Sequence, residues 1–122
     1  MITVLLVDAH ARVRRGLRMR LEREAQVRVV GEAADAPTGV ALAGERRPDV
    51  VVLDPVLDGE LDGAAVAAAL RVASPRSTIL VLTTADDRRD RDRFEAAGVT
   101  FLSKREGPRP LIAAVLAAGR RG

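Results

Sequence analysis

Short apolar runs recur along the chain, at Thr3 to Val7, Val27 to Ala33, Val50 to Leu53, Thr78 to Thr83 and Val99 to Ser103, each followed by a stretch with helical signals. Val50-Val51-Val52-Leu53 has no polar alternation at all, the pattern of a strand covered on both faces. After the first run, Val13, Leu17 and Leu21 fall four apart and form one stripe of an amphipathic helix. Asp35 with Pro37 marks the start of a second helix, because a side-chain oxygen and a missing proline N–H both suit the unpaired donors of a first turn. Pro48-Asp49 ends it. Gly63 to Ala73 reads as an alanine-rich helix closed by Ser74-Pro75. Asp86 to Arg93 is a charged helix start, a solvated face laced with ion pairs, and Gly98 stops that helix. Pro110 to Ala118 is the last helix. Five strands alternating with helices, joined by right-handed crossovers, predict one doubly wound α/β domain over residues 1–122, with a parallel sheet in the order 2-1-3-4-5.

This topology brings chemistry to one edge. Asp8, Asp54, Thr83 and Lys104 each fall at the carboxyl end of a predicted strand, and in open α/β sheets the crevice outside those ends is where ligands bind. Two carboxylates, a hydroxyl and an ammonium converging there point to phosphoryl chemistry. Asp8 and Asp54 would flank the crevice between strands one and three. Taken singly, either acid could merely turn or cap the backbone after a strand. Thr83 could be a strand-end hydroxyl on a loop amide, Lys104 an exposed lysine and Phe101 plain core. His10, the only histidine, reads as a loop residue with no metal role, since no Cys or His accompanies it.

Composition removes several classes. With 48% hydrophobic and 30% charged residues in 122, the chain is neither a disordered tail nor too small for a core. No run approaches the roughly 20 apolar residues of a membrane helix, and the acid at Asp8 interrupts any signal-like start. The absence of cysteine excludes disulfides and thiolate chemistry and agrees with a cytoplasmic location. A net charge of +3 raises a nucleic-acid reading. Only Arg12, Arg14, Arg15, Arg18, Arg20 and Arg23 cluster, on the first helix, and Phe94 and Phe101 are the only aromatics for stacking. The cluster therefore reads as a solvated helix face or a docking surface for an acidic partner protein, not as a direct nucleic-acid interface. Asp8-Ala9-His10-Ala11-Arg12 lacks a glycine-rich phosphate loop, so nucleotide binding is not expected.

Val7-Asp8-Ala9-His10, Val52-Leu53-Asp54, Asp62-Gly63, Leu82-Thr83-Thr84 and Phe101-Leu102-Ser103-Lys104 together, in this order and spacing, resemble the motifs of response-regulator receiver domains. The likeness covers the whole chain and implies a flavodoxin-like fold. Val13-Arg14-Arg15-Gly16-Leu17 and Val29-Val30-Gly31-Glu32-Ala33 further resemble the NarL/FixJ type, whose receivers usually precede a helix-turn-helix output domain. The resemblance implies that Asp54 accepts a phosphoryl group from a histidine kinase, that Lys104 pairs with a phosphoryl oxygen, and that Thr83 moves toward another while Phe101 switches rotamer. It implies Mg²⁺ held by Asp8, Asp54 and the backbone carbonyl of Val56. The ion would offset the repulsion between close carboxylates and an incoming anion. It also implies transcriptional output and a weak homodimer using Thr100 to Arg121 or the first and last helices.

The departures qualify this. Receivers usually carry two adjacent acids at the end of strand one, and the second is the direct metal ligand; here it is Ala9. The loop from Pro55 to Gly63 is one residue longer than usual, with its proline displaced to Pro55, and Asp58 in it is a candidate substitute ligand. One residue is also missing between Gly98 and Phe101. Two alternatives stand beside a phosphorylatable switch: a degenerate receiver that works as a phosphorylation-independent interaction module, and an unrelated enzyme or nucleic-acid binder.

Overall fold

The computed structural model describes residues 1–57, 62–83 and 88–121, in which strands and helices alternate. The elements are β1 (Ile2–Val7), α1 (Ala11–Leu21), β2 (Val27–Ala33), α2 (Ala36–Arg46), β3 (Val50–Leu53), α3 (Gly63–Ala73), β4 (Thr78–Thr83), α4 (Arg88–Ala96), β5 (Thr100–Ser103) and α5 (Pro108–Arg121). One turn of 3₁₀ helix, Lys104–Glu106, joins β5 to α5. The sheet is parallel, in the order β2-β1-β3-β4-β5, as the alternation predicts. No described helix is long and apolar enough to cross a membrane.

Both faces of the sheet are covered, which is why its strands read as apolar runs. Leu5, Val7, Val51, Leu53 and Val81 face a core shared with Ala43, Val66, Leu70 and Phe94 of α2, α3 and α4. Val4, Leu6, Val50, Val52 and Leu80 face the other, shared with Leu21 of α1 and Leu111, Ile112 and Val115 of α5. Leu5, Leu6, Leu53 and Leu70 are fully enclosed; each such leucine contributes about 1.5–3 kcal/mol by leaving water.

Helix starts follow their caps. Asp35 accepts the Thr38 N–H at 2.8 Å, with proline in the first turn of α2, and Asp62 accepts the Ala65 N–H at 2.8 Å. These backbone donors hold both carboxyls below their ordinary pKa. α2 ends on Arg47, whose φ of 45° turns the chain into the left-handed region, ahead of Pro48. α5 begins at Pro108, two residues before the expected Pro110. Both prolines fit its first turn, where N–H groups have no partner within the helix.

A bulge in β2 was not foreseeable from the pattern. Val29 pairs with Val4, but Leu5 pairs with Gly31, so Val30 is extra. The slip exchanges the faces of the strand. Val27 and Val29 point to the α1–α5 core, Ala33 to the opposite one, and Glu32 reaches α1. There it meets Arg14 at 3.4 Å and Arg18 at 2.8 Å, while Arg18 and Arg20 also pair with Glu22 and Glu24 one turn on. The Glu32 and Glu22 contacts raise the Arg18 pKa. Half of the six-arginine cluster is thus neutralised within the fold, which favours the solvated-face reading over a docking surface.

Candidate functional site

Because β1, β3, β4 and β5 run parallel, their last residues or the ones just beyond reach the same edge of the sheet. The ladder continues one residue past two of the strands: the Asp8 N–H donates to the Ala33 carbonyl at 3.0 Å, and the Asp54 N–H to the Val7 carbonyl at 2.9 Å. Both acids are therefore fixed by backbone pairing. They are also buried, with 2% and 6% of their surfaces exposed.

Each carboxylate is divided between two tasks. Asp8 Oδ1 accepts the His10 N–H at 2.8 Å and Asp54 Oδ1 accepts the Val56 N–H at 2.9 Å, closing turns on their own loops. The Oδ2 atoms share one cation: Lys104 Nζ stands 3.0 Å from Asp8 and 2.5 Å from Asp54. Burial works against the ammonium's charge, but hydrogen bonds to Asp54 and Asp8 and the attraction of their charges outweigh it and raise its pKa. Lys104 opens the 3₁₀ turn, where buried Ser103 accepts the Arg105 N–H at 3.2 Å. It is the only lysine among 20 basic residues, every other one being arginine. An ammonium is a compact point charge that fits between two oxygens, whereas a guanidinium is a flat fork.

Thr83 ends β4 opposite Ser103 and is buried. It lines a cavity of about 300 Å³ with Pro55, Val56, Leu57, Phe94 and Phe101. Phe101 points inward, its ring 5.9 Å from that of Phe94, and Arg91 of α4 lies over it at 5.1 Å, within range of a cation–π contact. The structure thus gathers Asp8, Asp54 and Lys104 in direct contact, with Val56 hydrogen-bonded to Asp54 and Thr83 and Phe101 alongside. Asp58, the candidate substitute ligand, lies outside the described residues, as do Thr84, Asp86 and Asp87 of the quoted stretches.

Three participants escaped the sequence reading. Arg14 donates to the Asp8 carbonyl at 2.6 Å, and Arg91 covers Phe101. His10 stands at the site itself: its Nδ1 is 3.3 Å from Asp8 Oδ1, and potential ligand atoms of Asp8, His10 and Asp54 lie within 4.8 Å of one another. Its position two residues after Asp8 was the available signal.

Gly63 shows why a glycine follows the α3 cap. A Cβ there would stand 2.3 Å from the Pro55 Cβ and 3.1 Å from its Cα, so α3 can begin against the loop beyond Asp54 only without a side chain. Gly63→Ala is expected to lower stability by about 1–3 kcal/mol, the usual cost of overpacking. Urea unfolding would measure it; an unchanged midpoint would show that the loop yields freely.

Known proteins place this geometry. Residues 4–116 match the family of response regulator receiver domains. The transcriptional regulatory protein LiaR of Bacillus subtilis (strain 168) is 36% identical over 121 residues, covering 98% of this chain and 57% of that protein. The chain thus spans little more than half the length of this curated relative. The receiver domain of NarL from Mycobacterium tuberculosis superposes with a TM-score of 0.88 at 31% identity, over 98% of this chain and 96% of that one. A LuxR-family two-component regulator from Aurantimonas sp. SI85-9A1 gives 0.86 at 33%, over 94% and 82%. With the family match spanning residues 4–116 and the sheet order shared with receiver structures, this is a response-regulator receiver domain of two-component signalling, a member of a signalling rather than a catalytic family.

Proposed function

We propose that Asp54 is the phosphoacceptor. The observation that carries this reading is the partly buried Lys104 ammonium held between the buried acids Asp54 and Asp8 at the carboxyl edge of the sheet. A carboxylate there attacks the phosphorus of a phosphohistidine on a histidine kinase. The P–O bond of an acyl phosphate forms, the P–N bond breaks with its electron pair on the imidazole, and that nitrogen takes a proton from solvent. Lys104 moves from Asp54 Oδ2 to a phosphoryl oxygen, a charge-assisted contact that replaces an existing one. The Thr83 hydroxyl donates to another oxygen, and Phe101, which lines the same cavity, changes rotamer as Thr83 is drawn inward. The chemistry of the domain itself extends at most to its own phosphorylation and dephosphorylation.

The donor set suits Mg²⁺, which takes one or two carboxylates, keeps several waters and binds phosphate oxygens. Asp8, Asp54 and the Val56 carbonyl would hold it, and the ion would neutralise charge on the transferring group. Ala9 adds no ligand, so binding is weak. The output is transcriptional and cytoplasmic, through a helix-turn-helix domain if the chain is part of a longer protein. The name of LiaR supports the transcriptional part. Weak self-association, through Thr100 to Arg121 or through the first and last helices, would appear in sedimentation across a concentration series.

A small phosphodonor with Mg²⁺ is expected to add one phosphoryl group, seen by intact-protein mass spectrometry and absent in Asp54→Asn. An unchanged mass under forcing conditions would move the reading to a receiver that signals without phosphorylation, the alternative Ala9 supports. A label surviving Asp54→Asn would move the acceptor elsewhere.

A further inference from the structure

We infer that His10 supplies the ligand that Ala9 cannot, and that its imidazole turns the metal site toward first-row transition ions and away from Mg²⁺. The inference rests on the metal site proposed above and concerns which ion that site selects. His10 Nδ1 and Asp8 Oδ1 stand 3.3 Å apart. Adjacent ligands of an octahedral ion with bonds of about 2.1 Å stand about 3.0 Å apart, so these two atoms already have nearly that spacing. A donor atom of Asp54 lies with them in a group spanning no more than 4.8 Å. Lys104 engages the Oδ2 atoms of both acids, whereas His10 approaches Asp8 at Oδ1, the oxygen the lysine does not touch.

The loop fixes the imidazole at this place. Asp8 Oδ1 accepts the His10 N–H at 2.8 Å, which anchors the histidine backbone to the acid beside which its ring lies. His10 is also the N-cap of α1, and its side chain makes no capping bond. The ring is exposed for two-thirds of its surface, so an ion would reach it without rearrangement of the core. The chemistry then decides selectivity. Two carboxylates and water serve Mg²⁺, while a neutral imidazole is a poor partner for that hard ion and a good one for transition metals. Exchanging a second acid for a histidine removes one negative charge and adds one nitrogen. Mg²⁺ loses by that exchange more than Mn²⁺ or its heavier neighbours do.

Titration calorimetry with Mn²⁺ and with Mg²⁺, on the native chain, His10→Ala, His10→Gln and Asp54→Asn, tests this. His10→Gln retains a group that can hydrogen-bond to Asp8 but offers no imidazole. The native chain is expected to bind Mn²⁺ about tenfold or more tightly than Mg²⁺. Both His10 variants should lose about tenfold in Mn²⁺ affinity and less than about threefold for Mg²⁺. Pulsed electron paramagnetic resonance of bound Mn²⁺ should show nitrogen hyperfine coupling that both variants abolish. Equal Mn²⁺ affinity in native and His10 variants, or no nitrogen coupling, would overturn the role of His10. If Asp54→Asn still weakened binding, the metal site itself would stand. A native chain that binds neither ion, or binds both as well after Asp54→Asn, would overturn the metal site and the role of His10 with it.

Discussion

Replacing Lys104 by methionine is expected to lower the stability of the domain by about 3 kcal/mol at neutral pH, among the larger effects a single side chain can have here. Methionine keeps the length of the stem and removes the charge. Asp8 and Asp54 would remain buried, each with one oxygen still paired to a loop amide and the other deprived of its cation. Two neighbouring carboxylates without a shared cation repel each other, and that repulsion is the source of the loss. In the native protein the Lys104 pKa is raised on folding. Its contribution is thus complete below the ordinary lysine value of about 10.4 and disappears as pH climbs through the higher folded one. Urea unfolding of both forms at pH 7 measures the loss. Divalent metal should restore part of the lost stability, because it binds the native state only. A loss under about 1 kcal/mol at pH 7 would mean that the contact is worth no more than an exposed ion pair. Lys104→Arg should not rescue fully, since a flat fork does not fit where one nitrogen now meets two oxygens.

Restoring the second acid with Ala9→Asp is expected to tighten Mg²⁺ by about tenfold or more. A directly bonded anionic oxygen should matter at least as much as the outer partners of metal ligands, whose loss costs about 10–100-fold. The same change should speed acyl-phosphate formation from a small donor. Without metal it adds a third carboxylate beside Asp8 and Asp54, where Lys104 already serves two, so the apo protein should unfold at lower urea concentration. Calorimetry and unfolding with and without Mg²⁺ check both arms. If the native chain already binds Mg²⁺ as tightly as Ala9→Asp does, some group other than the lost acid meets the ion's need, and Asp58 becomes the next residue to replace. Ala9→Asp combined with His10→Ala should show the conventional preference, with Mg²⁺ no longer disfavoured relative to Mn²⁺.

The elements were legible in the sequence because local rules set them. Apolar runs at Val50 to Leu53 and Thr78 to Thr83 became buried strands with those bounds. Asp35 capped the helix that follows it, since a cap depends on backbone donors only three residues away. The edge that gathers Asp8, Asp54, Thr83 and Lys104 followed from parallel strand direction alone. What a side chain touches across the fold was not legible. The Val30 bulge turned Glu32 onto α1, and a slip of one residue reverses faces without leaving a mark in hydrophobic spacing. Arg91 lies over Phe101 because α4 packs beside β5, and the sequence between them does not encode that angle. Local sequence determined where each acid, the hydroxyl and the lysine stand along the chain; only the tertiary structure decided that one ammonium bridges two carboxylates and that His10 turns back to Asp8, because such contacts depend on side-chain directions fixed by packing between elements distant in sequence.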